Sequence, residues 1–471
     1  MSFHAKSTSS VHLPGIKSNG LPPAANSKPP HVLIAGGGIG GLMLANILER
    51  TNITYEIFEK AREIKPLGSV MCINPTVMAA FEQLGLYEDF LKISNPISNS
   101  HIRNADAKIE SSFNIGDSKE LVGYEYLVVG RSKLYELLLS RVPVEKIKPR
   151  KRVISFVQNK EGVMTRFQDG TTTHGDILVG ADGTYSAVRQ HLFKELSKMG
   201  KLPKPDSKPL SKGFICMVGH TSPLDPEVYP IFKWNRGVCD TMISNNSPWS
   251  WITLNLPGNV MAWSATKQLD SETFADMNLR NSEWGSEANE ALIKEVSDFK
   301  TPYGTLGSLI DATPRSSIAV VFLEDKFFET WTHSRTVLIG DGSVNAMQDA
   351  IVLANCIYEM KANSYGEVVA ALNGYRDQQY DLTKKQCDAS KFNGRVLYGH
   401  TILDRFLRHI IVNCLSPSAW TQGIAKTMIY RPQIAFLPLI PNRGTADVKP
   451  QKPSAKYLEE QANVSDYAVA L

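Results

Sequence analysis

Three glycines, one carboxylate and the spacing between them are the first residues in this chain that could do chemistry. The run Val32-Leu33-Ile34-Ala35 is β-branched and apolar, and it ends in Gly36-Gly37-Gly38-Ile39-Gly40-Gly41. A helical pattern, Leu42-Met43-Leu44-Ala45-Asn46-Ile47-Leu48, follows at once. Gly36, Gly38 and Gly41 fill the three places of G-x-G-x-x-G between a strand and a helix. Gly36 permits the tight turn, Gly38 lets backbone approach a pyrophosphate, and Gly41 lets helix and strand pack closely. The helix N-terminus then aims unpaired N–H groups at phosphates. The glycine pattern alone is equally compatible with a plain turn.

The next strand narrows the choice. Ile53 to Phe58 alternates like a strand and ends at Glu59, 23 residues after Gly36. That is close to the roughly 20 residues expected for the acid that holds a ribose 2′-hydroxyl. A carboxylate only accepts hydrogen bonds, so it suits two ribose hydroxyls and repels a 2′-phosphate. A dinucleotide with an ADP moiety is therefore the first inference.

Two more strand ends carry acids. Asp176-Ile177-Leu178-Val179-Gly180 feeds Ala181-Asp182-Gly183, and Arg335 to Ile339 feeds Gly340-Asp341. Arg131 stands at a helix entrance after Leu127-Val128-Val129-Gly130. There it suits either an anion or plain solvation.

The elements that must position these residues can be read along the chain. With 471 residues, two or three domains with large cores are possible. The expected class is α/β. A Rossmann-like dinucleotide-binding domain (31–200 and 331–400) is interrupted by a mainly antiparallel β-sheet substrate domain (210–330). A helical C-terminal region (400–442) and polar tails (1–30 and 443–471) complete it. Pro66-Leu67-Gly68-Ser69 reads as a turn, 152–180 as a β-meander, and the Lys/Pro-rich 200–207 as a linker. Trp234, Trp249, Trp251 and Trp263 read as core of the inserted sheet. Near 402–411, Ile402, Phe406, Ile410 and Ile411 form an amphipathic stripe. It is read as docked on the domain, with membrane-surface contact as the alternative.

Composition excludes other classes. A net charge of +4 with no basic block argues against nucleic acid. Six scattered cysteines without C-x-x-C indicate neither a zinc site nor a disulfide framework, so a reducing, cytoplasmic setting is expected. No metal site is expected. No apolar run reaches the roughly 18 residues of a membrane span. Residues 1–30 lack an apolar h-region and read as a disordered tail, not a secretory signal.

The glycine loop with Glu59, Ala181-Asp182-Gly183 and Gly340-Asp341, in this order, resembles the class A FAD-dependent monooxygenases, the para-hydroxybenzoate-hydroxylase-like family. Residues 30–400 carry the resemblance, nearest to fungal members. It implies FAD, with its diphosphate at Gly36, Gly38 and Gly41 and its adenosine ribose at Glu59. Gly68 and Arg131 would approach the cofactor. Asp182, Gly183 and Arg189 would lie near FAD and a transiently bound NADPH. Asp341 would bond the ribityl chain, and Gly342 matches the second glycine of the family's Gly-x-Gly. Tyr229 sits roughly where some relatives keep an active-site tyrosine. The implied chemistry is hydride transfer to flavin, addition of O₂ at C4a, and hydroxylation or epoxidation of an aromatic or isoprenoid small molecule by the hydroperoxide.

One departure stands out. By comparison with the family, about eleven residues are absent between Asp341 and Gly342. Extended, they would span up to roughly 36–40 Å. The following helix should shift toward the strand or unwind its first turns, and flavin binding should suffer. A catalytically impaired binding protein and a prenyl reductase on the same fold are the alternatives.

Overall fold

The computed structural model describes residues 28–62, 70–269, 286–340, 342–399, 401–414 and 417–469. Gly68, Asp341 and nearly all of the N-terminal 1–30 segment therefore lie outside the described residues.

The first strand, β1 (His31–Ala35), is central because both of its faces are apolar. Val32 and Ile34 enter one core, while Leu33 and Ala35 enter another. Burial on both faces is the mark of a parallel strand covered by two layers. It leads into α1 (Ile39–Leu48), every residue of which is buried. Next come β2 (Thr54–Phe58), α2 (Arg131–Leu139), β3 (Ile177–Gly180) and α3 (Ala187–Lys198). The chain returns through β4 (Thr336–Leu338), α4 (Ser343–Tyr358), the 34-residue α5 (Tyr365–Tyr398) and α6 (Ile402–Cys414). The six-stranded sheet runs Thr332–His333, β4, β3, β1, β2, Ile147–Lys148, parallel except at the first strand.

One face of this sheet packs on α1, α2, α4 and α5. The other packs on α3 and a three-stranded meander of Val153–Gln158, Val163–Phe167 and Thr172–Gly175. Arg335 anchors the return of the chain. It is fully buried, and its guanidinium donates to the carbonyls of Asn159 (3.2 Å), Lys160 (2.6 Å) and Asp176 (3.0 Å).

The second sheet is not built from 210–330 alone. Its nine strands include Val70–Ile73, Ser94–Asn104, Ile109–Asn114 and Leu127–Gly130. The junction is a parallel pairing of Gly237–Ile243 with Ser94–Asn104. The 200–207 segment is also more than a linker. Asp206 is buried, and its carboxylate accepts from the N–H groups of Glu329 and Thr330, both at 2.8 Å. Trp249, Trp251 and Trp263 are buried core, as their composition suggests, but Trp234 is 65% exposed.

Two further segments depart from the sequence reading. The apolar stripe of α6 faces outward: Ile402 is 89% exposed, Leu403 57% and Phe406 59%. Its polar side is pinned instead. Asp404 accepts from Arg395 Nη2 (2.9 Å) and Arg408 donates to the Val396 carbonyl (3.1 Å), both at the end of α5. The polar chain from Asn442 onward is an arm rather than a loose tail. Arg443 grips Glu82 with both nitrogens, Ala446 N–H donates to the Leu121 carbonyl (2.9 Å), and Ala455–Val469 is helical.

Candidate cofactor cleft

Because β1, β2, β3 and β4 run parallel, their C-terminal ends share one edge of the sheet, where ligands of open α/β sheets bind. The glycine loop leaves β1 there. Gly36 has φ +108°, and its N–H donates to the Phe58 carbonyl (2.8 Å). A Cβ on Gly36 would stand 2.4 Å from the Ala181 oxygen, so the loop rests directly on the β3 end. A Cβ on Gly41 would stand 2.2 Å from the Gly36 oxygen, so that glycine is what lets α1 close on its own turn. Gly38 is different: nothing lies within 4 Å of its Cβ position. It caps α1, whose first intrahelical bond runs from Leu42 N–H to the Gly38 carbonyl (2.9 Å). The helix start is therefore uncovered at Gly38, as a bound anion requires.

Glu59 follows β2 and turns its carboxylate onto the loop. It accepts from Gly37 N–H (2.9 Å) and Ala61 N–H (2.8 Å), and each oxygen keeps a lone pair for a further donor. Asp182 follows β3. One of its oxygens accepts from Ala187 N–H (2.7 Å) and Val188 N–H (3.3 Å) and so caps α3. The other oxygen is buried with no hydrogen-bond partner among the described residues. Such a group costs on the order of 1–3 kcal/mol unless a ligand or water meets it. Gly183 beside it has φ +77° and open space at its Cβ position. Arg189 donates to the Thr184 carbonyl (2.5 Å) and lies over the Phe328 ring.

At the β4 end, Ile339 N–H donates to the Gly180 carbonyl (3.1 Å), and the register brings Gly340 level with Asp182. The structure thus gathers Glu59, Asp182, Gly183 and Gly340 along one edge, while Asp341 lies outside the described residues. Helix α4 is not unwound. It starts at Ser343 with Gly342 as its cap, and Ala346 N–H donates to the Gly342 carbonyl (2.6 Å). A cavity of about 300 Å³ opens beside Gly340 and Gly342, between Gly183, Arg189, Phe328, Trp331 and Asn345.

Residues 30–203 match the FAD binding domain family. The FAD-dependent monooxygenase ausM of Penicillium brasilianum is 26% identical over 439 residues, covering 88% of this chain and 89% of that protein. The aurachin C monooxygenase/isomerase of Stigmatella aurantiaca is 29% identical over 360 residues, 73% of this chain and 84% of that one. The chain carries an FAD binding domain and is similar over most of its length to FAD-dependent monooxygenases. Klebsiella pneumoniae HpxO, solved with FAD and uric acid, shares the fold with a TM-score of 0.69 at 19% identity, over 85% of this chain and 97% of that one.

The residues present in this domain fit FAD. An open cradle at Gly38, a carboxylate with spare lone pairs and an unmet Asp182 oxygen lie on one edge. Arg131 opens α2 after the second-sheet strand Leu127–Gly130, which places it where the two sheets meet. Desolvation lowers its pKa.

Tyr229 is not brought to this edge. It packs on the face of the second sheet that holds Ile215, Met217, Trp251 and Trp263. The opposite face carries residues that sequence reasoning passed over. Burial pushes Cys72 and Tyr126 up to about 12, with Cys72 also raised by Cys239 and Tyr126 by Cys72. Tyr398, at the end of α5, is likewise raised to about 12, by burial and then by Cys216 and Cys239. Cys72 is nevertheless exposed, and Tyr398 brings the end of α5 against the second sheet through its contact with Phe214. Period-two alternation in Phe214 to Val218 was the available signal, since it puts Cys216 opposite Ile215 and Met217.

Proposed function

We propose that this chain uses NAD(P)H and O₂ to insert one oxygen atom into an aromatic or isoprenoid small molecule, by hydroxylation or epoxidation. The observation that carries the reading is the common sheet edge of the glycine loop, Glu59, Asp182 and Gly340. The N-terminus of α1 holds the FAD diphosphate, Glu59 its adenosine ribose, and Arg131 the cofactor from the second sheet. Asp182 and Gly183 lie against it, with Arg189 beside them for the nicotinamide cofactor. Asp341 and Gly342 serve the ribityl chain and the helix entrance, and Gly68 approaches from its turn. Bound FAD supplies the redox chemistry; the protein orients it and excludes water. The side of the second sheet that carries Tyr126 and Cys239, near Cys72 and Tyr398, receives the substrate. Relatives named as monooxygenases support oxygen insertion over the binding-protein and prenyl-reductase alternatives.

Purified protein is expected to show flavin absorbance and to oxidise NADPH, with ¹⁸O from O₂ appearing in product. Protein that stays colourless after reconstitution with FAD would overturn the reading. A product gaining two hydrogens and no oxygen would support the reductase.

A second reading concerns the outward face of α6. Among the described residues no helix is long and apolar enough to cross a membrane. Ile402, Leu403 and Phe406 are exposed together, beside Arg405, which supports contact with an anionic membrane surface. Sedimentation with anionic vesicles, lost in Phe406→Ser, is the test.

A further inference from the structure

A second cavity, of about 280 Å³, lies far from the flavin edge, where the C-terminal arm crosses the helix Met78–Gln83. Ala79, Leu439, Ile440 and Val448 give it apolar walls. Most polar groups on its rim are already engaged. Gln433 exchanges two hydrogen bonds with Ile440, from Nε2 to the carbonyl (2.9 Å) and from Ile440 N–H to Oε1 (2.7 Å). Asn442 donates to the Gly444 and Ala446 carbonyls, and Gln451 to that of Lys449.

Two groups are left. Arg431 is only 7% exposed; its Nε donates to the Met428 carbonyl (2.8 Å) and its Nη1 to that of Val122 (2.5 Å). Its Nη2 is buried with no partner among the described residues. Tyr124 is 4% exposed; its buried hydroxyl has the Glu82 carboxylate beside it but outside good hydrogen-bond geometry. Both can donate. No acidic side chain lines the cavity, whereas Lys449 stands on its rim. The nearby Glu82 is held by Arg443. A buried guanidinium with an unmet N–H is stable only if something accepts from it. The volume is many times the ~30 Å³ share of one water, and most of the wall is apolar.

We propose that this cavity is a binding site for a small organic carboxylate. Its carboxylate accepts from Arg431 Nη2 and the Tyr124 hydroxyl, and its apolar tail lies against Leu439, Ile440 and Val448. A bare phosphate would satisfy the donors but leave the apolar wall uncovered. Occupation would fasten the segment just before the arm, which also bonds to α4: Asn355 donates to the Gln433 carbonyl (2.8 Å) and accepts from Ala435 N–H (2.9 Å).

Calorimetric titration of the purified full chain with octanoate tests the proposal, with inorganic phosphate as comparison. One octanoate per chain is expected, about tenfold weaker in Tyr124→Phe, the loss of one hydrogen bond to a charged group. Binding should vanish in Val448→Trp, which fills the cavity. Arg431→Gln should also abolish it, but Arg431 holds two carbonyls and its loss can unfold the corner, so the other two variants decide. Octanoate binding equally to wild type, Tyr124→Phe and Val448→Trp would place the ligand elsewhere and overturn the proposal. So would phosphate binding as tightly as octanoate, or no binding of octanoate at all, the result for a cavity that holds only water.

Discussion

Gly40 lies directly under Ala346: a methyl group built on Gly40 would meet the Ala346 Cβ at 2.9 Å and the Ile339 Cδ1 at 3.0 Å. The first turn of α4 is therefore seated on the first turn of α1, and the short connection after β4 delivers it there without unwinding. Gly40 is not one of the three fingerprint glycines, yet the contact it permits sets the spacing between the phosphate-binding turn and the helix behind it.

Gly40→Val should force these helices apart. Overpacking of this kind costs roughly 1–3 kcal/mol, so the melting temperature of the flavin-free protein should drop by several degrees. FAD affinity should fall with it, measured by quenching of flavin fluorescence. An unchanged melting temperature would mean that α4 can slide away from α1 at little cost.

Gly38 and Gly41 should respond in opposite ways. Gly41→Ala puts a carbon 2.2 Å from the Gly36 oxygen and should destabilise the protein with or without flavin. Gly38→Ala meets no protein atom. Its flavin-free melting temperature should stay within about a degree of wild type, while its FAD affinity falls about tenfold or more. A Gly38→Ala protein that binds FAD normally would show that no diphosphate lies over α1.

Glu59→Gln tests the ribose end. The carboxylate already receives two backbone N–H groups through different oxygens, at 2.9 and 2.8 Å. An amide keeps one acceptor oxygen, so either the loop or the ligand loses a bond. FAD should bind roughly 10- to 100-fold more weakly, the worth of a hydrogen bond to a charged group. Equal affinity of variant and wild type would remove Glu59 from the cofactor site.

What was legible in the sequence is what local periodicity and glycine chemistry encode. Val32 to Gly41 could be placed residue by residue, because a strand buried on both faces, a left-handed glycine and a helix start each leave a pattern within a few positions. The Ala181-Asp182-Gly183 and Gly340 strand ends were legible for the same reason. The pairing of Ser94–Asn104 with Gly237–Ile243 was not, since nothing within either strand states its partner some 140 residues away. The face of α6 was misread because its apolar stripe is conspicuous, whereas the anchoring of Asp404 and Arg408 to the end of α5 leaves no periodic trace. The attachment of the Asn442 arm left no periodic trace because its hold on the protein is polar: Arg443 on Glu82, and backbone N–H groups on Glu120 and Leu121.

Asp349 was passed over because an acid within a helix reads as surface, and its behaviour gives the last prediction. It is 2% exposed, and burial pushes its carboxyl up from 3.8 to about 7. The Gly340 N–H (2.8 Å) and the Tyr375 hydroxyl pull the other way without overcoming it. Below about pH 4 the group is protonated in both folded and unfolded chains, and its full contribution to stability is present. Between about pH 4 and 7 the folded protein retains a proton that the unfolded chain releases, so stability is lost as pH rises; above about 7 the loss is complete. Asp349→Asn keeps an acceptor for Gly340 and has nothing to titrate. Its stability relative to wild type should therefore grow by roughly 2–4 kcal/mol from pH 4 to pH 8, read from melting temperatures across that range. Asp349 holds Gly340 at the connection into α4, so the charge that forms near neutrality strains the flavin edge itself. FAD affinity should weaken over the same interval in wild type but not in Asp349→Asn. Parallel profiles for the two proteins would mean that Asp349 is ionised throughout.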